Sequence, residues 1–150
     1  FAAWTNLSDG RYKTNIQQNV PGLDFILKLQ PVTYNFDFDK LNKALKPGSV
    51  DHAGNSLVTS EIIATENNPN TGVRFSGFVA QDVEKAAKEI GYDFSGVDKA
   101  KSETDLYGLR YSEFVVPMVK AIQEQQAQIE LLKKQNEALL KAITELQNKK

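Results

Sequence analysis

The sequence predicts an α+β fold, in which a small mixed globular head of short strands and helices is followed by a long C-terminal coiled-coil helix. Two observations support this prediction. Residues 8–111 contain short apolar runs, some with strand and some with helix periodicity, separated by Pro and Gly. From residue 112 onward, apolar residues recur with a seven-residue period. We therefore divide the chain into an entry segment at 1–7, a head at 8–111 and a stem at 112–150.

Composition excludes several classes of protein. The 150 residues carry 18 basic and 19 acidic side chains, and 41% are hydrophobic, which is typical of one ordinary water-soluble domain. A net charge of -1 leaves no cationic excess for the phosphates of nucleic acid. Because no apolar run reaches the length that spans a bilayer, we expect no membrane insertion. The chain begins with Phe1 rather than Met, so we expect it to be a piece of a longer protein.

The missing residue types narrow the possible chemistry. Without Cys there is no disulfide, thiol nucleophile or cysteine-based zinc site. The single histidine, His52, excludes a His-rich metal site. The acidic residues lack the spacing of a calcium loop. We therefore predict no metal and no cofactor, and any reaction must use hydroxyl, carboxylate and lysine side chains.

The first part of the head contains three local signals. Residues 8–11, with the sequence SDGR, predict a turn, since Asp and Gly tolerate positive φ. A second break at Pro21–Gly22 precedes apolar residues at helical spacing, which predicts a short helix over 23–29. After Pro31 the pattern alternates, and this indicates a half-buried strand around residues 32–36.

The next segment, 39–70, is polar and interrupted by Pro, Gly and Asn, so we expect mostly surface loop. Within it, residues 57–63 have the composition of a strand or a hairpin arm. Beyond it, residues 73–79 predict a strand. Residues 80–90 predict a helix, with its apolar positions on one face and Gly91 as the C-terminal stop.

The stem is the strongest periodic signal. After a loop at 92–105 and a short strand at 106–111, Ser112 is a reasonable N-cap, and nothing ends the helix before about Asn148. Pro117 falls near the first turn, where its cost is lowest. With Val115 as position a, eight of ten a and d residues are apolar. We name these ten the heptad stripe: Val115, Met118, Ile122, Gln125, Ile129, Leu132, Asn136, Leu139, Ile143, Leu146.

The heptads leave alternatives open. One is a single amphipathic helix packed on its own domain, although about 50 Å of helix outreaches a domain of this size. Branched residues at a, Leu at d and one Asn at a favour two strands. Against that, Ala121, Leu140 and Ala142 widen the apolar face, and Gln125 adds a second polar layer. We therefore favour three strands, and a homotrimer, over two.

One hydroxyl and one lysine stand out as a possible catalytic pair. Ser8 and Lys13 are five residues apart, a spacing that suits neither one face of a strand nor one face of a helix. The intervening turn could still fold the lysine back onto the serine. A lysine acts as base for a serine when burial disfavours its charged form. From spacing alone, an ordinary turn followed by a solvated lysine is the simpler interpretation.

Several sequence blocks, in order and followed by the stem, carry a resemblance to one family. The blocks are SDGRYKTNI at 8–16, GLD at 22–24, LQPVTY at 29–34, GFVAQDVE at 77–84, LRY at 109–111 and VPMVKAIQE at 116–124. Together they resemble the C-terminal intramolecular chaperone domains of endosialidases and of phage tail spikes and fibres. The resemblance extends over nearly the whole chain from Leu7 onward.

This resemblance implies a homotrimer that assists folding of a fibrous β-rich passenger upstream on the same chain and then cuts itself off. It implies that Ser8 is the nucleophile, that Lys13 is its base and that the bond between Leu7 and Ser8 is cut. Residues 1–7 would then end the passenger or a linker. The setting implied is a phage tail fibre or a bacterial surface or secreted protein, and the identity of the passenger stays open.

Two features depart from the family pattern. Gly10 stands where many relatives carry a larger residue, and residues 1–7 precede Ser8 in one uncut chain. Two other functions therefore remain: a non-cleaving trimerisation cap that stays on its fibre, and a dimeric coiled-coil adaptor.

Overall fold

The computed structural model describes residues 7–38, 40–41, 72–102 and 105–149. His52 and the predicted strand or hairpin arm at 57–63 lie outside these residues. Short strands and helices precede one helix of 33 residues, which confirms the α+β prediction for the single chain. In chain order the elements are a 3-10 helix Gly10–Tyr12, α1 Leu23–Ile26, β1 Val32–Tyr34, β2 Phe75–Gly77, α2 Ala80–Glu89, β3 Val97–Asp98, β4 Gly108–Leu109, a 3-10 helix Tyr111–Phe114 and α3 Val115–Gln147.

The described strands form two small antiparallel pairs. β1 pairs with β2, with Tyr34 opposite Phe75, as the alternating pattern after Pro31 predicts for β1. β3 pairs with β4, with Val97 opposite Leu109. The prediction of a loop throughout 92–105 was wrong at β3, because this two-residue strand exists only through pairing with a segment ten residues away and has no local pattern of its own.

α2 confirms the helix predicted over 80–90. Val83 and Ala87 on its apolar face are buried, so this face is the side of the helix that enters the core. Gly91 has a φ of +66°, and its N–H donates to the carbonyl of Lys88. The next N–H, from Tyr92, donates to the carbonyl of Ala87 at 2.9 Å. These two bonds form a Schellman C-cap, which is the reason that the helix ends at this glycine.

Aromatic rings from four segments of the head form its centre. Phe25 on α1 is 0% exposed, and its ring centroid lies 4.8 Å from that of Phe94. Phe94 in turn lies 4.8 Å from Phe114, in an edge-on contact, and Phe78 stacks on Phe114 at 5.4 Å. Such tilted and edge contacts add to the burial of apolar area. We call Phe25, Phe78, Tyr92, Phe94 and Phe114 the aromatic core.

The start of α3 differs from the prediction. Ser112 lies inside the 3-10 helix Tyr111–Phe114, and the N-cap position belongs to Phe114, which makes no side-chain capping bond. The prediction of Ser112 as the N-cap was therefore wrong. Burial of the Phe114 ring in the aromatic core, rather than a polar cap, fixes where α3 begins. Pro117 is buried in the first turn, where its missing N–H has no helical partner to lose.

Within the described residues, the contacts between α3 and the head lie along the first turns of the helix. Ala121 is buried against α1, and the side chain of Glu124 reaches the backbone N–H of Leu23 at 2.7 Å. Gly22 makes this approach possible, because a Cβ there would lie 2.8 Å from the backbone nitrogen of Ala121. From Gln125 to the end of the helix, every residue is exposed in the single chain.

Candidate functional site

The structure brings the two predicted catalytic side chains together. The Nζ of Lys13 donates a hydrogen bond to the Oγ of Ser8 at 2.8 Å. This distance is within the range that a nucleophile and its base require. The sequence leaves open whether the turn folds the lysine back onto the serine, and in the structure it does.

The turn between the two residues is a short 3-10 helix. The N–H of Tyr12 donates to the carbonyl of Asp9 at 3.1 Å, and that of Lys13 donates to the carbonyl of Gly10 at 3.2 Å. Asp9 is the N-cap, since its Oδ1 accepts the N–H of Arg11 at 2.9 Å. Aspartate is favoured at such positions because its short side chain reaches the unpaired N–H groups that begin a helix.

The same carboxylate also binds the side chain of Arg11. Its Oδ2 lies 2.6 Å from Nη2 and 3.0 Å from Nε of the guanidinium. These charge-assisted hydrogen bonds from the Arg11 side chain are the main cause that holds the pKa of Asp9 below its usual value. The hydrogen bond from the backbone N–H of Arg11 is the second cause. The Asp9 carboxylate in turn raises the pKa of Arg11. Sequence reasoning identified the turn but missed this ion pair, whose signal is an aspartate two residues before an arginine.

The Ser8–Lys13 pair lies at the surface of the single chain. Both residues are exposed, and Leu7, whose carbonyl carbon the serine would attack, is 85% exposed. Two further apolar side chains nearby, Tyr12 and Ile16, are 74% and 73% exposed. Water therefore reaches the pair, and three exposed apolar side chains lie close to it along the chain.

The heptad stripe is equally open. Its eight apolar residues are between 44% and 65% exposed, and Gln125 and Asn136 are exposed as well. Four other large apolar residues of α3 are exposed and lie off the stripe: Val116, Val119, Leu131 and Leu140. A continuous row of exposed apolar residues along one helix is typical of a surface that packs against another helix.

Other kinds of site are not found in the described part of the chain. Within it, no group of three or more His, Asp or Glu side chains is arranged to hold a metal ion. None of the described helices is long and apolar enough to cross a membrane. Among the described residues, the Ser8–Lys13 pair is thus the candidate catalytic site.

Comparison with known proteins gives one match. Residues 8–92 match the family described as the chaperone of endosialidase, whereas no curated protein and no solved structure matches the chain. The matched segment begins at Ser8 and includes Lys13, α1, both strands of the first sheet and α2. The stem lies outside it. Because the match covers more than half of the 150 residues, the chain belongs to the chaperone-of-endosialidase family.

Proposed function

We propose that this chain is an intramolecular chaperone. It forms a homotrimer, assists the folding of a fibrous β-rich passenger upstream on the same chain, and then releases itself by autoproteolysis between Leu7 and Ser8. Membership of the chaperone-of-endosialidase family supports the chaperone role and implies an upstream passenger. The observation that carries the proposal of self-cleavage is the 2.8 Å contact between Ser8 and Lys13, at the residue where the family match begins.

The proposed reaction needs only these two side chains and water. The neutral amine of Lys13 takes the proton from Ser8 as its Oγ attacks the carbonyl carbon of Leu7. The bond from that carbon to the Ser8 nitrogen breaks, and the nitrogen leaves with the proton from Lys13. An ester then joins Leu7 to the Ser8 oxygen. Water hydrolyses this ester, which gives a new carboxylate on Leu7 and restores the hydroxyl of Ser8.

The exposure of the pair suggests when this reaction takes place. In the single chain water reaches both side chains, and Nζ of Lys13 acts as a hydrogen-bond donor to Ser8. Exclusion of water by a neighbouring subunit favours the neutral amine, which is the form that can accept a proton. The exposed apolar side chains of Leu7, Tyr12 and Ile16 are suited to such a contact. Cleavage would then follow assembly rather than precede it.

The heptad stripe supports the proposed assembly. Full burial of an exposed apolar side chain gains about 1.5–3 kcal/mol, and each apolar residue of the stripe, at 44–65% exposure, can still gain about half of that in a packed interface. From Gln125 onward every residue of the helix is exposed with respect to the described part of the chain, so its apolar residues are open to packing against other copies. The flanking Leu140 is also exposed, which widens the face beyond a two-stranded seam and favours three copies.

The proposal is tested by fusing a reporter domain ahead of Phe1 in the complete chain. Light scattering should give the mass of a trimer, and a denaturing gel with N-terminal sequencing should reveal a fragment that begins at Ser8. Ser8→Ala and Lys13→Ala should abolish this fragment and leave the trimer intact. An uncut trimer in all three proteins would exclude autoproteolysis, and a dimer mass would exclude the homotrimer.

A second candidate is a trimerisation cap that stays on its fibre without cutting. The exposure of Ser8 and Lys13 in the single chain favours it, because no neighbouring group in the described part of the chain shields the pair from water. In the same experiment this cap gives a trimer without a fragment, whereas a dimeric adaptor gives a dimer without a fragment.

A further inference from the structure

The chain must reverse direction to bring Ser8 and Lys13 together. In extended backbone, five residues span about 16 Å, yet the two side-chain atoms are 2.8 Å apart. The only regular structure between them is the 3-10 helix Gly10–Tyr12. One turn of 3-10 helix is marginal by itself, because its few backbone bonds do not offset the loss of chain entropy. Something beyond the backbone must hold this turn.

The side chain of Asp9 has the contacts to hold the turn. Its Oδ1 accepts hydrogen bonds from the backbone N–H of Arg11 at 2.9 Å and from Nε of the same residue at 3.1 Å. Its Oδ2 accepts hydrogen bonds from Nε and Nη2 of Arg11. One carboxylate thus binds both the backbone and the side chain of the residue in the middle of the turn. The guanidinium also lies 5.8 Å from the ring centroid of Tyr12, which adds a cation–π contact inside the same segment.

These contacts are separate from the reacting atoms. Among the described residues, the side-chain hydrogen bonds of Asp9 all go to Arg11, and Lys13 is the partner of Ser8. The ion pair of Asp9 with Arg11 is open to solvent on the arginine side, with the Arg11 side chain 81% exposed and the Asp9 side chain 31% exposed, so its contribution to global stability is small. Its influence is therefore local, on the path of the chain between the two proposed catalytic residues.

We propose that Asp9 is a positioning residue for the Ser8–Lys13 pair. Its carboxylate closes the turn onto Arg11 and thereby sets the separation between the serine oxygen and the lysine nitrogen. The effect of Asp9 on the cleavage rate rests on the proposed autoproteolysis. The positioning itself is a property of the turn. Loss of the Asp9 carboxylate removes neither reacting side chain, but it lets the Ser8 oxygen and the Lys13 nitrogen move apart.

The expected effects are graded. Asp9→Ala removes all of these contacts, and we expect it to slow cleavage about 10-fold to 100-fold, since a misplacement of about 1 Å costs this much. Asp9→Asn keeps an oxygen that can accept the N–H of Arg11, so we expect most of the rate to be retained. Arg11→Ala keeps the cap and loses the ion pair, and it should resemble Asp9→Asn. Combining Asp9→Ala with Arg11→Ala should cost no more than Asp9→Ala alone.

The experiment measures cleavage and geometry separately in the complete chain with its reporter domain. The rate is read from the fragment that begins at Ser8. The contact is read by NMR, as the nuclear Overhauser effect between the β protons of Ser8 and the ε protons of Lys13. Asp93→Ala, which removes an exposed aspartate elsewhere on the head, is the matched control. Thermal unfolding and light scattering of each variant check that fold and assembly are unchanged.

We expect Asp9→Ala to lose the Overhauser contact and the rate together, with unchanged melting and mass, and Asp9→Asn to keep both. If Asp9→Ala cuts as fast as Asp93→Ala, or keeps the contact, the positioning role is overturned. If the unsubstituted chain is not cut but the contact is lost only in Asp9→Ala, the proposed autoproteolysis fails and the positioning role stands.

Discussion

The aromatic core and the outer part of α3, from Gln125 to Gln147, differ in how far their apolar residues are buried. Phe25 and Phe114 in the core are at most 4% exposed, and rings from four separate segments contact one another. In the outer helix, Leu132 and Leu139 are 57% and 61% exposed although they are as apolar as the core residues. This difference indicates that contacts within one chain stabilise the fold of the head. The outer helix carries an apolar surface that the described part of its own chain does not bury.

The largest expected effect comes from breaking the aromatic core. Phe25→Ala removes a ring that contacts Tyr92 and Phe94, and a substitution of this kind costs about 3–5 kcal/mol. Because domains of this size are stable by only about 5–15 kcal/mol, we expect the head to unfold well before the unsubstituted protein. Chemical denaturation followed by the near-ultraviolet circular dichroism of the aromatic rings measures this loss.

Leu27→Ala, two residues further along the chain, is its control. Leu27 is 76% exposed, so its loss should change the free energy of unfolding by less than about 0.5 kcal/mol. Equal effects of the two substitutions would mean that Phe25 is not part of a core.

The next effect tests the outer helix with two adjacent leucines. Leu131 and Leu132 are 56% and 57% exposed in the single chain, so the fold of one copy gives no reason for them to differ. In our heptad frame Leu132 occupies position d and Leu131 lies off the stripe. We expect Leu132→Ala to weaken assembly by about 2 kcal/mol or more per copy, and Leu131→Ala to leave it nearly unchanged. Sedimentation equilibrium over a range of concentrations compares the two, and equal losses would contradict the frame.

Much of the fold could be predicted because some signals are local. α2 was predicted well, since its apolar face and its C-terminal glycine both lie within one segment of a dozen residues. The contacts that place α1 on α3 could not be predicted in this way. The backbone of Leu23 and the carboxylate of Glu124 are 101 residues apart, and no pattern in either segment indicates the other.

The candidate site shows the same limit at shorter range. A spacing of five residues left open whether Ser8 meets Lys13, and the resemblance to a family was needed to favour the catalytic interpretation of the pair over an ordinary turn. The missing physical element was the double contact of Asp9 with Arg11, which depends on the path of the backbone and not on residue type alone. Residue types thus indicated which chemistry was available, and geometry was needed to show which groups meet.

A smaller effect is expected at the junction between the two regions. Gly22→Ala places a Cβ 2.5 Å from Oε2 of Glu124 and 2.8 Å from the nitrogen of Ala121, so α1 must move away from α3. We expect a loss of about 1–3 kcal/mol, as for other overpacked contacts. Gly10→Ala is the control, since its Cβ meets nothing within 4 Å, and its change should stay within about 1 kcal/mol. If thermal unfolding shows no difference between them, α1 and α3 are not in the close contact described.

The smallest effect at neutral pH concerns a carboxylate in the head that has three polar partners. The carboxylate of Glu84 on α2 binds Lys88 at 2.7 Å, Lys99 at 3.2 Å and the hydroxyl of Tyr107 at 3.0 Å. The hydrogen bond from Lys88, followed by those from Lys99 and Tyr107, lowers the pKa of Glu84 from its ordinary 4.5 to about 2. A lowered carboxyl pKa stabilises the head fully above about pH 4.5, and this contribution is lost as the pH falls towards 2.

Acid should therefore lower the stability of the head more than that of the outer helix. In the outer helix the contact of Lys133 with Glu130 lies within a single exposed stretch of helix. Glu84→Gln should flatten the decline in head stability between about pH 4.5 and 2, measured by denaturation across this range. Glu137→Gln, on the exposed part of α3, should leave the decline as it is. A decline that persists unchanged in Glu84→Gln would show that the acid sensitivity of the head arises at other carboxylates.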